Sequence, residues 1–130
     1  MFNSKFGIEI EFTGITRQQA ARIATEHLGG RASGDTVTAP DGRQWKFTFD
    51  GSITCQRRVN GRRTSAGSDH SVELVSPILK YREDIDTLQE LVRKLRQAGA
   101  FTYNKRGLHI HLDAASHPAT SIRTLAHIIA

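Results

Sequence analysis

The sequence predicts an α+β domain in which strands of alternating polarity are interleaved with amphipathic helices. Three observations point there. Residues 5–13 (KFGIEIEFT) alternate, with Phe6, Ile8, Ile10 and Phe12 on one side and Glu9 and Glu11 on the other, the period of two that a half-buried strand shows. Residues 83–98 carry Ile85, Leu88, Leu91, Val92 and Leu95 at spacings of three and four, which is one apolar stripe of a helix. Of the 130 residues, 38% are hydrophobic and 24% charged, enough for one domain with a core and unlike a disordered tail.

The elements follow in order. After the first strand, Thr16-Arg17-Gln18-Gln19 has the pattern of a capping box, with Thr16 as cap and Gln19 reaching back. A helix is expected over 17–28, stopped by Gly29-Gly30 because glycine takes the left-handed C-terminal position readily. Residues 36–39 and 44–50 are expected as strands around the turn Pro40-Asp41-Gly42-Arg43, with Trp45, Phe47 and Phe49 forming an apolar face. Residues 57–68, rich in Gly, Ser and Arg, are expected as a flexible loop. A further strand is expected over 70–76, ended by Pro77. The helix over 83–98 has Glu83, Asp84 and Asp86 at its start and Arg93, Lys94 and Arg96 near its end, which suits its dipole. Strands are expected over 101–104 and 108–113, joined by a turn at 104–107. A last helix is expected from His117-Pro118, with proline at its first position. Ile122, Leu125, Ile128 and Ile129 lead to Ala130 without a closing glycine or polar turn, which suits a fragment of a longer protein or a short protein whose last helix docks on its own core.

Composition narrows the setting. No apolar run approaches the roughly 20 residues of a membrane helix. The start lacks a secretory signal, because the short apolar stretch carries Glu9 and Glu11. A lone cysteine, Cys55, makes no internal disulfide and excludes a cysteine-based zinc cluster, so a cytoplasmic protein is expected. The net charge of +5 favours polyanions, either nucleic acid or a phosphate-bearing small molecule such as ATP. Arg57, Arg58, Arg62 and Arg63 crowd one stretch; they suit a solvated hairpin loop or contacts to phosphate.

Several residue patterns carry chemistry. Glu9 and Glu11, two apart on a strand, project from one face while their apolar neighbours pin the other. Two such carboxylates repel unless a metal ion or cationic group joins them, although a solvent-facing strand carries glutamates equally well. His109 and His111 repeat the arrangement with imidazoles, which ligate metal or simply satisfy a polar sheet face. Glu73 stands in Ser71-Val72-Glu73-Leu74-Val75-Ser76-Pro77 with Val72 and Leu74 opposite. Asp50-Gly51-Ser52 is an ordinary turn sequence, or a site where Asp50 binds metal or a substrate amine and Ser52 binds phosphate or carboxylate. Paired in one sheet, Glu9, Glu11, Glu73, His109 and His111 would line a single face, and a carboxylate-rich set with some imidazole favours Mg²⁺ or Mn²⁺ over zinc.

The succession Phe6-Gly7-Ile8-Glu9-Ile10-Glu11-Phe12, Trp45 with Asp50-Gly51-Ser52, Glu73-Leu74-Val75-Ser76-Pro77 and Gly107-Leu108-His109-Ile110-His111-Leu112 resembles the amidoligase family, relatives of glutamine synthetase and glutamate–cysteine ligase. The resemblance covers nearly the whole chain. It implies a curved, mostly antiparallel sheet with helices packed on the outer face, a glutamine synthetase-like catalytic domain of which 1–130 would be a single N-terminal portion. It implies ATP and Mg²⁺ or Mn²⁺ on the concave face. Glu9, Glu11 and Glu73 would be catalytic and would ligate metal with His109 and His111. Asp50 and Ser52 would lie at the substrate end, and Arg57, Arg58, Arg62 and Arg63 are candidates for nucleotide contacts. The implied reaction joins a small-molecule or peptide carboxylate to an amine through an acyl phosphate. Members of the family are longer, and the part that completes their sheet is expected to lie beyond this chain or to come from a homo-oligomer or another partner. Two other readings compete: a nucleic-acid-binding module using the arginine-rich loop, and a zinc-dependent hydrolase using His109 and His111. The first lacks an aromatic-rich RNA-binding strand and a helix-turn-helix signature.

Overall fold

The computed structural model describes residues 4–102 and 107–112. Its elements are β1 (Lys5–Phe12), α1 (Arg17–Leu28), β2 (Arg31–Ser33), β3 (Thr36–Thr38), β4 (Gln44–Thr48), β5 (Gln56–Val59), β6 (Arg62–Ser65), a 3₁₀ turn (Ser68–His70), β7 (Val72–Val75), β8 (Leu79–Lys80), α2 (Tyr81–Gln97) and β9 (Leu108–Leu112). Seven strands form one sheet in the order β2-β3-β4-β7-β1, with β8 and β9 also pairing to β1. Every pairing is antiparallel. Glu9 and Ile10 pair with both β7 and β9, and Phe6 with both β8 and β9. β7 and β8 therefore share one edge of β1 and β9 takes the other. The fold is the α+β class with a mostly antiparallel sheet that the sequence predicts.

The sheet has one apolar and one polar face, because side chains alternate and the register aligns like with like. Phe47, Leu74, Ile10 and Leu108 are successive cross-strand partners, and Trp45 opposes Val37. Both helices cover this face: Ala20, Ala21 and Ala24 of α1 and Leu88, Leu91, Val92 and Leu95 of α2 join the same buried cluster. Small residues on α1 let its backbone approach the sheet closely. The capping box forms as expected, with the Gln19 amide donating to Thr16 Oγ1 at 3.1 Å and the Thr16 amide to Gln19 Oε1 at 2.8 Å. α2 begins at Tyr81, ahead of the expected residue 83, and its N-terminal end is held by Asp84, which accepts the Lys80 amide at 2.7 Å.

Between β7 and β8 the chain carries one extra residue against β1, a β-bulge. Val72 and Leu74 point to the helices, and so does Leu79, although it lies an odd number of positions, five, after Leu74. Ser76 mends the ladder: its hydroxyl accepts the Ile8 amide at 2.9 Å and donates to the Pro77 carbonyl at 2.8 Å.

Four expectations change. Residues 57–68 are not a loop throughout; most of them build the two-stranded hairpin β5–β6, turned by Asn60 and Gly61 at φ 51° and 80°, the geometry that favours Asn-Gly. Phe49 does not extend the apolar face of β4, which ends at Thr48; the residue is 56% exposed, with the Arg17 guanidinium over its ring. Residue 70 closes a 3₁₀ turn, and the strand starts at Val72. Phe101 makes a single bridge to Thr13 in place of a strand start. The turn at 104–107 falls largely outside the described residues, and the last helix does so entirely. Among the described residues no helix is long and apolar enough to cross a membrane.

Candidate metal centre on the polar face of the sheet

The register that buries the apolar row also builds the polar one. Glu11 lies directly opposite Glu73, which lies opposite Thr48; Glu9 lies opposite His109 on one side and Val75 on the other; His111 lies opposite Gly7. Glu9, Glu11, Glu73, His109 and His111 thus share the face away from the helices. β9 can approach β1 this closely because residue 107 is glycine: a Cβ there would stand 2.8 Å from the Glu11 carbonyl oxygen.

Within this face the residues divide into two groups. Glu11, Glu73 and Asp50 bring one carboxylate oxygen each within 4.8 Å of one another. Asp50 arrives from the end of β4 and is held by buried Ser71, whose hydroxyl donates to the Asp50 carbonyl at 2.6 Å and accepts the Asp50 amide at 2.9 Å. Arg17 in turn fixes Ser71, donating to its carbonyl at 2.9 Å and to that of Ser68 at 2.7 Å. Ser52 points its amide and hydroxyl at Asp50 Oδ1, at 2.9 and 2.7 Å. Ser52 therefore orients Asp50, and Asp50 stands inside the acid cluster. The second group is Glu9 with His111, joined at 2.9 Å between Oε1 and Nε2.

Electrostatics follow the geometry. Burial, then repulsion from Asp50, raises the Glu11 carboxyl above its ordinary pKa, and a hydrogen bond to Asp50 adds to this. Burial also raises Glu73, followed by repulsion from Glu9, Asp50 and Glu11, with His109 opposing when charged. Asp50 moves the other way, held ionised first by the Ser52 amide and then by the Ser52 hydroxyl. Among the described residues no Lys or Arg forms an ion pair with any of the three.

This donor set fits a hard divalent cation. Mg²⁺ takes oxygen ligands at roughly 2.1 Å, so two ligands on opposite sides lie about 4.2 Å apart, inside the 4.8 Å within which the three oxygens fall. Neither histidine belongs to the three-carboxylate group, so a zinc site built on His109 and His111 has less support than an oxygen-ligated one.

Arg57, Arg58, Arg62 and Arg63 all lie on the hairpin. Arg58 and Arg63 are cross-strand partners stacked on Phe101, and they line a cavity together with Ile10 and Phe12 of the helix-side face. None of Glu11, Asp50 and Glu73 lines that cavity.

A family model described as "putative amidoligase enzyme" matches residues 3–130. The chain belongs to the amidoligase family. No curated protein matches it. The match places this amidoligase in a family of ligase-type enzymes, and it spans every segment that contributes to the polar face. Sequence reasoning grouped Glu9, Glu11, Glu73, His109 and His111 on one sheet face, where the register places them. It left Asp50 between two roles and missed Ser71 and Arg17. Nothing in the sequence signals that Ser71 reaches back to Asp50, since that contact depends on how β4 and β7 pair.

Proposed function

We propose that this amidoligase forms an amide from a carboxylate and an amine, with ATP as the activating substrate and Mg²⁺ or Mn²⁺ held by Glu11, Asp50 and Glu73. The observation that carries this reading is the convergence of three carboxylates from three segments, with no Lys or Arg paired to them among the described residues. Such an arrangement is electrostatically costly by itself and becomes favourable around a cation. When bound, the cation neutralises the triphosphate and the charge that develops during phosphoryl transfer.

The chain's own groups supply the rest. Asp50 is already ionised and oriented by Ser52 and Ser71. Glu11 and Glu73, pushed up by burial and by their acidic neighbours, would be held in the charged form by a cation there. Glu9 fixes the His111 ring, and His109 brings a second imidazole to the edge of the acid cluster. In the first step a substrate carboxylate oxygen bonds to the γ-phosphorus and the bond to the β–γ bridging oxygen breaks, releasing ADP. In the second the amine nitrogen bonds to the activated carbonyl carbon, phosphate leaves and the nitrogen loses a proton. Both substrates are small molecules or peptide ends. ATP use and a lone free Cys55 suit the cytoplasm.

Titration of Mn²⁺ in the presence of ATP, followed by electron paramagnetic resonance, tests the reading. Glu11→Gln and Glu73→Gln are each expected to weaken Mn²⁺ retention at least about tenfold, about 1.4 kcal/mol. Unchanged retention in the double variant would remove the proposed site.

A further inference from the structure

The other side of β1 holds a cavity of about 670 Å³, lined by Arg58 and Arg63 of the hairpin, Arg93 and Arg96 of α2, and Phe101. That size lies within the roughly 300–1,000 Å³ of small-molecule sites. Its arginines are held in place. The Phe101 amide and carbonyl both hydrogen-bond to the Thr13 backbone at 3.0 Å, and Gln56 at the root of the hairpin donates its amide to Thr13 Oγ1 and accepts the Gly14 amide at its carbonyl, both at 2.9 Å. On this support the Arg58 and Arg63 guanidinium groups lie 4.6 and 4.5 Å from the Phe101 ring centroid. They are direct cross-strand partners, and like charges so placed repel. Among the described residues no carboxylate pairs with either one, whereas Arg93 is paired with Glu90. Two preorganised guanidinium forks side by side, with more arginine across the cavity, match the oxygens of phosphate groups.

We propose that this cavity binds a small polyanion carrying phosphate groups, at a site on the opposite face of the sheet from the acid cluster. Arg58 and Arg63 make the direct contacts, and Phe101 sets their orientation. Arg57 and Arg62 project from the other face of the hairpin and take no part. The site needs no metal and stands whether or not the ligase reading does.

Calorimetric titration of the protein with sodium tripolyphosphate in EDTA separates the two sites, because chelation removes any metal-dependent binding. Saturable binding is expected. Arg58→Gln with Arg63→Gln should weaken it at least tenfold, Arg57→Gln with Arg62→Gln less than threefold although it removes the same charge, and Glu11→Gln with Glu73→Gln not at all. Arg58→Lys with Arg63→Lys keeps the charge and loses the planar fork; a loss of several-fold is expected, and this pair decides the matter if the glutamine pair lowers the circular dichroism signal. Absence of binding in EDTA, equal weakening by the two arginine-to-glutamine pairs, or citrate binding as tightly as tripolyphosphate would each overturn the proposal.

Discussion

Two carboxylate sites on opposite sides of the sheet show how the same chemistry serves different ends. At the start of α2, Asp84 receives both terminal nitrogens of Arg43, at 2.9 and 2.8 Å, and the Lys80 amide. Arg43 also binds Asp41 at 2.8 Å and the Ile78 carbonyl at 3.2 Å, so one guanidinium ties the β3–β4 turn to β8 and α2. The Arg43 hydrogen bonds hold Asp84 below the usual carboxylate range. Across the sheet, Glu11 and Glu73 face Asp50 with no arginine paired to them among the described residues, and both are pushed up. A paired acid stabilises the fold, whereas an unpaired cluster is a standing cost that a ligand can relieve.

The comparison is broken most sharply by Asp84→Ala. Removing one partner of a buried ion pair costs about 3–5 kcal/mol. Arg43 keeps 34% of its side chain in solvent, so a loss of about 2–3 kcal/mol in urea unfolding is expected here. Ser71→Ala comes next. It strips both hydrogen bonds from the Asp50 backbone and should cost about 1–2 kcal/mol, while also weakening Mn²⁺ retention although Ser71 is no ligand.

Glu11→Gln with Glu73→Gln should act in the opposite direction, raising metal-free stability at pH 7 by up to about 1 kcal/mol as repulsion is relieved. The pH profiles should differ in sign as well. Raised folded-state pKa values mean that the acid cluster costs nothing below the ordinary glutamate value of 4.5. Its penalty grows as pH rises through the shifted values. Asp84 is depressed, so its contribution is full above 3.8 and is lost as pH falls through its folded value. Subtracting the unfolding profile of the double glutamine variant from that of the parent should isolate the first window, and Mg²⁺ should stabilise the parent at pH 7 far more than at pH 4. The smallest effect is expected from His111→Gln. The pair with Glu9 leaves the two side chains 65% and 35% exposed, so stability should change by less than about 0.5 kcal/mol.

Much of this was legible in the sequence where one periodicity dominated. β1, α1, α2 and the apolar face of β4 follow from alternation or from spacings of three and four, because each buries a single face. The hairpin was hidden because both of its faces are exposed and polar, so no hydrophobic alternation marks its strands; Asn60-Gly61 was its one local signal. Phe49 continued the alternation of Trp45 and Phe47, but Ser71 captures the Asp50 backbone and the strand stops short of it. Cross-strand register explains why Glu9, Glu11, Glu73, His109 and His111 could be grouped from spacing alone. Asp50 joined them only through a contact between distant segments. Ligase chemistry was legible through family resemblance, since acids and imidazoles on one sheet face are common to many sites.

The extra residue between β7 and β8 sets the phase of all that follows along that edge. Were the same residues to pair with β1 in an unbroken ladder, Ile78 would take the place opposite Phe6 and the tail would be inside out: Leu79 would turn to water, Lys80 would turn toward the core, and the first turn of α2 would lose the anchor that aims Asp84 at Arg43. Regularity at this point would undo the domain, and the irregular step is what keeps its two halves in frame.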